Sequence, residues 1–508
     1  AQEADDEDRG FIAGLLESAL GGDGRTVRIV GVAGALSSTA TIDQITIADA
    51  EGIWLTIDDV ALTWNRGALL RGAIDVETLR AARIDLPRLP VAAPGIDVPD
   101  AEATPFALPD LPASIQLEQL DIGAVALGAP ILGEAATLSL SGAATLADGA
   151  GDATLMAQRT DWPRSTIALD ASYANDTRAL ALDLEVSEAA NGLLSGLMNV
   201  PGRPSVDLNI DGTGALSDFA ATLDLRTNGE PRLRGSLALQ SEADGPMGFD
   251  VDLGGDVTAL FLPQYASFFG PEVALRAQGS QDGTGALTLD QFDLTARALR
   301  MSGQAALNSD GWPTLLDIEG RLVDPEGGSV LLPGAVGDET RVDRADLAIR
   351  FDGNDSDALT AQISIAGLNR IEVQADTLNL DVDGTLSGDV NAIGEVTARG
   401  DLAGTGLSFG DPALGEAIGT ILRGGLNVTY ADEAPLELRN LSLTGAAWQA
   451  SGDVTIQSFR EDFSTTFSLA LDTPDLSAFA ALAGLSLTGA GQIAVAGTAA
   501  LGGFFDVT

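Results

Sequence analysis

From Val27 onward, hydrophobic and polar residues alternate with a period of two, in short runs broken by Gly, Asp and Asn. Leu180-Ala181-Leu182-Asp183-Leu184-Glu185-Val186, Val206-Asp207-Leu208-Asn209-Ile210-Asp211 and Leu378-Asn379-Leu380-Asp381-Val382-Asp383 each put aliphatic side chains on one side and mostly Asp, Glu or Asn on the other. Successive side chains of a strand point to opposite faces, so each run predicts a half-buried antiparallel strand. Helical spacing is scarce. It predicts an amphipathic helix at 1–22, where Phe11, Ile12, Leu15, Leu16 and Leu20 recur before Gly21-Gly22, and short helices at 189–198, 258–269, 414–422 and 476–482. So few helical turns cannot cover the apolar face of so much sheet, and an uncovered apolar face must meet itself or an apolar ligand.

The expected organisation has four parts: the N-terminal helix at 1–22, a β unit at 23–85, a connector at 86–112, and a repetitive β-trough with short helical insertions at 113–508. The connector holds Pro87, Pro90, Pro94, Pro99, Pro105, Pro109 and Pro112, a third of the 21 prolines, and no sheet interior tolerates that density. Within the trough, Leu287-Thr288-Leu289-Asp290-Gln291-Phe292-Asp293-Leu294 matches Leu436-Glu437-Leu438-Arg439-Asn440-Leu441-Ser442-Leu443, 149 residues later. The match continues from Ser302-Gly303 to Ser451-Gly452, with looser copies at 140–146 and 233–239. Both good copies slip parity, at Gln291 and at Asn440, which predicts a bulge or turn kept in place. The expected fold is all-β dominated: an elongated, folded-over, repetitive antiparallel sheet, a trough with an apolar groove and a few short helices. Roughly 20 to 25 strands after the connector would extend on the order of 100 to 120 Å.

Composition narrows the chemistry. The 508 residues carry 74 Asp+Glu against 27 basic residues, all of them Arg, for a net charge of −47, with no His, Cys or Lys. Nucleophile systems built on His or Cys, transition-metal sites of the usual ligands, the P-loop lysine and Schiff bases are all excluded. The acidic balance opposes nucleic acid, whose recognition needs a basic surface. Hydrophobic content of 45% opposes disorder. No enzyme activity, cofactor or metal is expected. Gly406-Leu407-Ser408-Phe409-Gly410 fits the nucleophile-elbow pattern but lacks any His as base. Gly212-Thr213-Gly214 and Gly404-Thr405-Gly406 are expected to be turns, and Asp352, Asn354, Asp355 and Asp357 a solvated turn without EF-hand spacing. The uncharged stretch from Leu476 is too polar and Gly-punctuated for a membrane helix.

The run Asp49-Ala50-Glu51-Gly52-Ile53-Trp54-Leu55-Thr56-Ile57-Asp58-Asp59-Val60-Ala61-Leu62-Thr63-Trp64, followed by Leu69-Leu70-Arg71-Gly72 and Leu79-Arg80-Ala81-Ala82-Arg83-Ile84, closely resembles the start of the TamB family of translocation and assembly module subunits. The resemblance extends through Leu108-Pro109-Asp110-Leu111-Pro112 to Leu127-Gly128-Ala129-Pro130-Ile131-Leu132-Gly133, after which only the repeat style carries it. The family belongs to the AsmA-like, bridge-like lipid-transfer proteins. The resemblance implies a folded-over sheet with an apolar groove and a periplasmic location associated with the inner membrane, bridging towards the outer membrane. It also implies a TamA-like outer-membrane barrel of the Omp85 class as partner, phospholipid as cargo, and a part in outer-membrane protein assembly and secretion. The family's membrane anchor and C-terminal docking domain find no counterpart in these 508 residues.

Parity selects the candidate groove lining: Leu287, Leu289, Phe292 and Leu294, with Leu436, Leu438, Leu441 and Leu443 one repeat later. The last apolar stretch, with Ile493, Val495, Phe504 and Phe505, is expected to be a partner edge, because it carries no Pro and one charge, at Asp506. Either the polypeptide continues past Thr508 or this edge pairs with another sheet. Two other readings stand beside lipid transport: a scaffold that adds strands to outer-membrane proteins, and a secreted β-solenoid adhesin with a dry core.

Overall fold

The computed structural model describes residues 25–34, 37–91, 107–109, 113–241, 245–334, 339–387, 395–431, 434–457, 464–500 and 504–507. The helix expected at 1–22 lies outside the described residues. The chain forms two compact units, one of residues 1–247 and 259–261, the other of 248–258 and 262–508. The boundary therefore does not fall at the Pro-rich connector.

In the first unit, β1 (Thr26–Val30), β2 (Thr39–Asp49), β3 (Gly52–Trp64), β4 (Ala73–Leu86), β5 (Ser114–Leu127), β6 (Ala136–Ala147), β7 (Ala150–Arg159), β8 (Ser165–Ala174), β9 (Ala179–Glu188), β10 (Val206–Ala215), β11 (Asp218–Thr227) and β12 (Glu230–Gln240) pair in chain order. All these pairs are antiparallel except β4 with β5, where Ala73 lies opposite Ser114 and Leu86 opposite Leu127. One parallel pair thus interrupts an otherwise antiparallel sheet. A parallel pair needs a crossover long enough to bring the chain back to the strand's starting end, and the connector supplies it. The connector thus joins two neighbouring strands of one sheet. Tight hairpins close where sequence supplies positive φ: Asp148-Gly149 (50° and 68°) and Asn228-Gly229 (51° and 79°) are two-residue turns of the kind that match strand twist.

The second unit contains β13 (Met247–Gly255), β14 (Val273–Gln281), β15 (Leu287–Thr295), β16 (Leu299–Leu307), β17 (Pro313–Val323), β18 (Val330–Leu331), β19 (Arg341–Val342), β20 (Arg344–Asp352), β21 (Ser356–Asn369), β22 (Val373–Ser387), β23 (Glu395–Thr405), β24 (Ser408–Phe409), β25 (Ile421–Ala431), β26 (Leu436–Thr444), β27 (Gln449–Ile456), β28 (Thr465–Thr473), β29 (Gly491–Ala500) and β30 (Phe504–Val507). From β14 the long strands pair successively and antiparallel, with β18, β19 and β24 forming short pairs at their ends. Among the described residues the first and last strands of neither unit pair with each other, so neither sheet closes into a barrel. The fold is all-β dominated with a few short helices, as expected, and among the described residues 26 of 30 strands follow the connector, slightly more than the alternation suggests.

Both parity slips occupy their expected places. Register shifts between Leu289 and Phe292 and again between Leu438 and Leu441, and the residues opposite are Gly303 and Gly452, also 149 apart. A third copy shifts between Leu117 and Leu120, opposite Gly142. The helices are shorter than their hydrophobic spacing suggests. They comprise Leu193–Leu197, Pro263–Tyr265 leading into Ala266–Phe269, Pro412–Ile418, and Leu476–Phe479 leading into Ala480–Ala483, besides the brief turns Arg66–Leu69, Ala129–Leu132 and Thr258–Leu260. The helix expected at 414–422 ends at Ile418, because Gly419 takes a φ of 82° and Ile421 already begins β25. Among the described residues no helix is long and apolar enough to cross a membrane.

Strand alternation sends alternate connections to the same end of a sheet, and the insertions of the second unit share one rim. In the second unit that rim holds the turns around Ala266–Phe269, the β18–β19 pair, Pro412–Ile418 and Leu476–Ala483. Phe268, Ala298, Leu322, Val330 and Val342 make a closed apolar core there, with Phe269 and Leu332 packed against it. The tightest packing thus seals a rim, while the strand centres are covered less completely.

Candidate apolar groove

Residues directly opposite in a strand pair share a face, so the register shows how far each apolar face extends. In the first unit Leu155 faces Leu169, then Leu184, Ile210 and Leu223 across five strands. In the second, Ile318 faces Ile349, Ala361, Val382, Gly400 and Leu426 across six. These side chains are half-buried, except at Gly400, which has none. A dry sandwich core would bury them almost completely, and an open solvated sheet would expose them. Full burial is concentrated towards the strand ends, as at Val206, Phe219, Leu225, Phe351 and Leu386.

Leu287, Leu289, Phe292 and Leu294 lie on β15 opposite Leu307, Ala305, Gly303 and Met301, on the apolar face and half-buried. Leu436, Leu438, Leu441 and Leu443 lie on β26 opposite Ile456, Val454, Gly452 and Ala450, in the same state. Seven long strands separate β15 from β26, so the two sets occupy one face without touching. Ile493 and Val495 sit opposite Leu471 and Leu469, also on that face. β30 pairs its Phe504 and Phe505 with Ala500 and Ala499, covering β29 from Gly497 onward on its other edge. The four residues expected as an unpaired edge thus include two that form a covering strand.

The remaining motifs resolve into structure. Gly212-Thr213-Gly214 runs within β10, where a turn was expected, because Ala221, Ala220 and Phe219 of β11 continue its ladder. Gly404 and Thr405 end β23 and Ser408-Phe409 forms β24, so the elbow-like sequence is a strand-to-strand turn. The Asp352 carboxylate accepts the Asn354 N–H at 3.0 Å, closing a turn between β20 and β21. The opposite face carries mostly polar residues, with shallow basins; one of about 610 Å³ is lined by Arg300, Glu319, Arg321, Gln362, Asn379 and Asp381, among others.

The apolar face of the first unit ends in a buried polar knot that the strand pattern alone underestimates. Arg159, on the face of Leu138, is 4% exposed and donates to Glu134 at 3.1 Å and Asp161 at 2.7 Å. Arg203 donates to Glu134 at 2.9 Å and to the Gly192 carbonyl at 2.7 Å. Arg203 and then Arg159 hold the Glu134 carboxyl below its ordinary range against the opposing effect of burial. Glu188 accepts the N–H groups of Leu194 at 2.9 Å and Ser195 at 2.7 Å, fixing the helical insertion to the end of β9. The signal for it was present: parity continues from Leu180 through Val186 to Glu188, which puts a carboxylate on the apolar side.

The connector is fastened at both described ends. Near its start Arg88 grips Asp49 bidentately, at 2.7 and 2.6 Å, and donates to the Gly52 carbonyl at 2.9 Å, while the Val91 N–H reaches Asp49 at 2.8 Å. The Asp49 side chain is 1% exposed. Arg88 foremost, with the N–H of Val91, holds its carboxyl far below the usual carboxylate range. Near the far end, Leu108 bonds Asn175. Comparison with known proteins finds no match for this chain among family models, curated proteins or solved structures.

Proposed function

We propose that this chain is a TamB-like periplasmic bridge protein that carries phospholipid acyl chains along its apolar groove. In this reading it is associated with the inner membrane and acts with a TamA-like, Omp85-type outer-membrane barrel in the translocation and assembly module, supporting outer-membrane protein assembly and protein secretion. The observation that carries it is the half-burial of a register-continuous apolar face in each unit. Apolar surface left partly in water is unfavourable by about 25 cal/mol per Å², and acyl chains are the occupant whose chemistry matches a face without donors or acceptors. The resemblance over Asp49–Gly133 supports the family context.

Photo-crosslinkers at Leu289 and Leu438 test it, with mass spectrometry of organic extracts of the purified chain. Phospholipid should co-purify and crosslink at both positions, and Leu289→Asp with Leu438→Asp should abolish capture between them by placing charge in the path. A folded chain that yields no lipid and no adduct overturns the acyl-chain reading and leaves strand addition as the better account.

A further inference from the structure

Leu108 is delivered to the sheet by the connector, outside any strand. Its backbone is held by one side chain: Asn175, in the turn between β8 and β9, accepts the Leu108 N–H on Oδ1 at 2.9 Å and donates from Nδ2 to the Leu108 carbonyl at 2.9 Å. Asn175 is itself tied to the neighbouring hairpin, donating its own N–H to the Gly149 carbonyl at 2.9 Å. The Leu108 side chain lies over Gly151 of β7. Its Cδ1 stands 3.1 Å from where a Cβ on Gly151 would be, and the Cδ1 of Leu146 stands 3.5 Å from the same point. Gly151 is opposite Leu146 on one side and Tyr173 on the other, so this point belongs to the apolar face.

We infer that Leu108 is a built-in occupant of the groove, an aliphatic side chain seated at one end of the apolar face of the first unit where an acyl chain crossing β7 and β8 would lie. The inference rests on the acyl-chain reading above. Three features distinguish a displaceable occupant from ordinary core packing. Among the described residues, residues 107–109 hydrogen-bond the sheet through one Asn side chain and add no strand to the ladder, so their release leaves the sheet's own pairing intact. A Cβ on residue 151 would stand 3.0 Å from the Thr145 carbonyl oxygen and 3.1 Å from Leu108 Cδ1, so glycine there permits the close approach of both the neighbouring strand and Leu108. Two residues along the same face, Ala153 is exposed, so open floor begins where the seat ends.

The competition is testable on the full chain with cis-parinaric acid, a fluorescent fatty acid, together with amide hydrogen exchange. Filling the groove should strip protection from the Leu108 N–H, and Asn175→Ala should raise probe affinity about tenfold, the worth of roughly one to two net hydrogen bonds. Leu108→Ser, which alters only the connector, should do the same if Asn175→Ala disturbs the turn, and Asn209→Ala on the polar face should change nothing. Binding by the variants alone also supports the inference, as a seat fully closed in the parent chain. Probe binding that leaves Leu108 exchange and both variants' affinities unchanged overturns the occupant while the groove stands. No binding by the parent or either variant overturns both.

Discussion

At the scale of single residues, glycines on the apolar face separate into two kinds by what their missing Cβ would meet. At Gly142, Gly303 and Gly452 it would collide with the backbone oxygen of Thr154, Asp317 or Ser468 on the next strand. These three mark the repeated bulge, where one strand gains residues and its neighbour must approach more closely. Gly320 is different: its nearest atoms are Leu347 Cβ at 3.5 Å and Met301 Cε at 3.8 Å, ordinary contacts. Gly303→Ala and Gly452→Ala should each cost about 1–3 kcal/mol through overpacking against backbone that cannot yield. Gly320→Ala should instead gain about 0.5–1 kcal/mol by restricting the unfolded chain. Urea denaturation of the three variants decides this, and equal losses at all three would remove the distinction.

At the scale of elements, the connector is the unusual part, since its two fastenings let β4 and β5 run parallel within an otherwise antiparallel unit. The fastening at Asp49 is acid-sensitive, with a definite sign. Its carboxyl titrates lower in the folded chain than in the unfolded one, so its contribution is present above the unfolded value, about pH 4, and is lost as pH falls through the folded value. Limited proteolysis with an acid-active protease should find the bonds from Arg88 to Val91 resistant at pH 5 and increasingly cut below about pH 4. Asp49→Asn, which cannot pair ionically with Arg88, should be cut at pH 5 already. Identical cleavage of variant and parent at both pH values would show that the Arg88 grip does not hold the connector.

At the scale of the whole molecule, charge is the dominant property. The net charge of −47 leaves most carboxylates without a cation, and many of the Arg are spent on local pairs such as Arg83–Asp85, Arg399–Asp401 and Arg439–Glu437. These pairs are exposed and contribute little each. Self-repulsion among the remaining carboxylates opposes the folded state, and salt screens it over about 10 Å at 0.1 M. Thermal unfolding should therefore shift upward by on the order of several degrees between 0.05 and 0.5 M sodium chloride. A shift of the opposite sign would mean that ion pairs outweigh repulsion.

What the sequence by itself determined is whatever depends on local periodicity. Alternation specified the strands and their inward sets, because a one-residue slip would move a whole strand's aliphatic residues to the wrong face. The slips at Gln291 and Asn440 and the placing of Leu289 and Leu438 on the apolar face were legible for that reason. Tertiary structure alone decided the rest. Whether Leu86 would meet Leu127 in a parallel pair depended on the route of the connector, which has no period to read. Arg88 reaching Asp49, Leu108 reaching Asn175 and Arg203 reaching Glu134 join residues 39, 67 and 69 positions apart. Such contacts are set by which strands lie side by side and where their turns fall, so no local pattern records them. Half-burial of the apolar face is likewise a property of what packs over each strand, and the apolar residues in the sequence would read the same over a dry core.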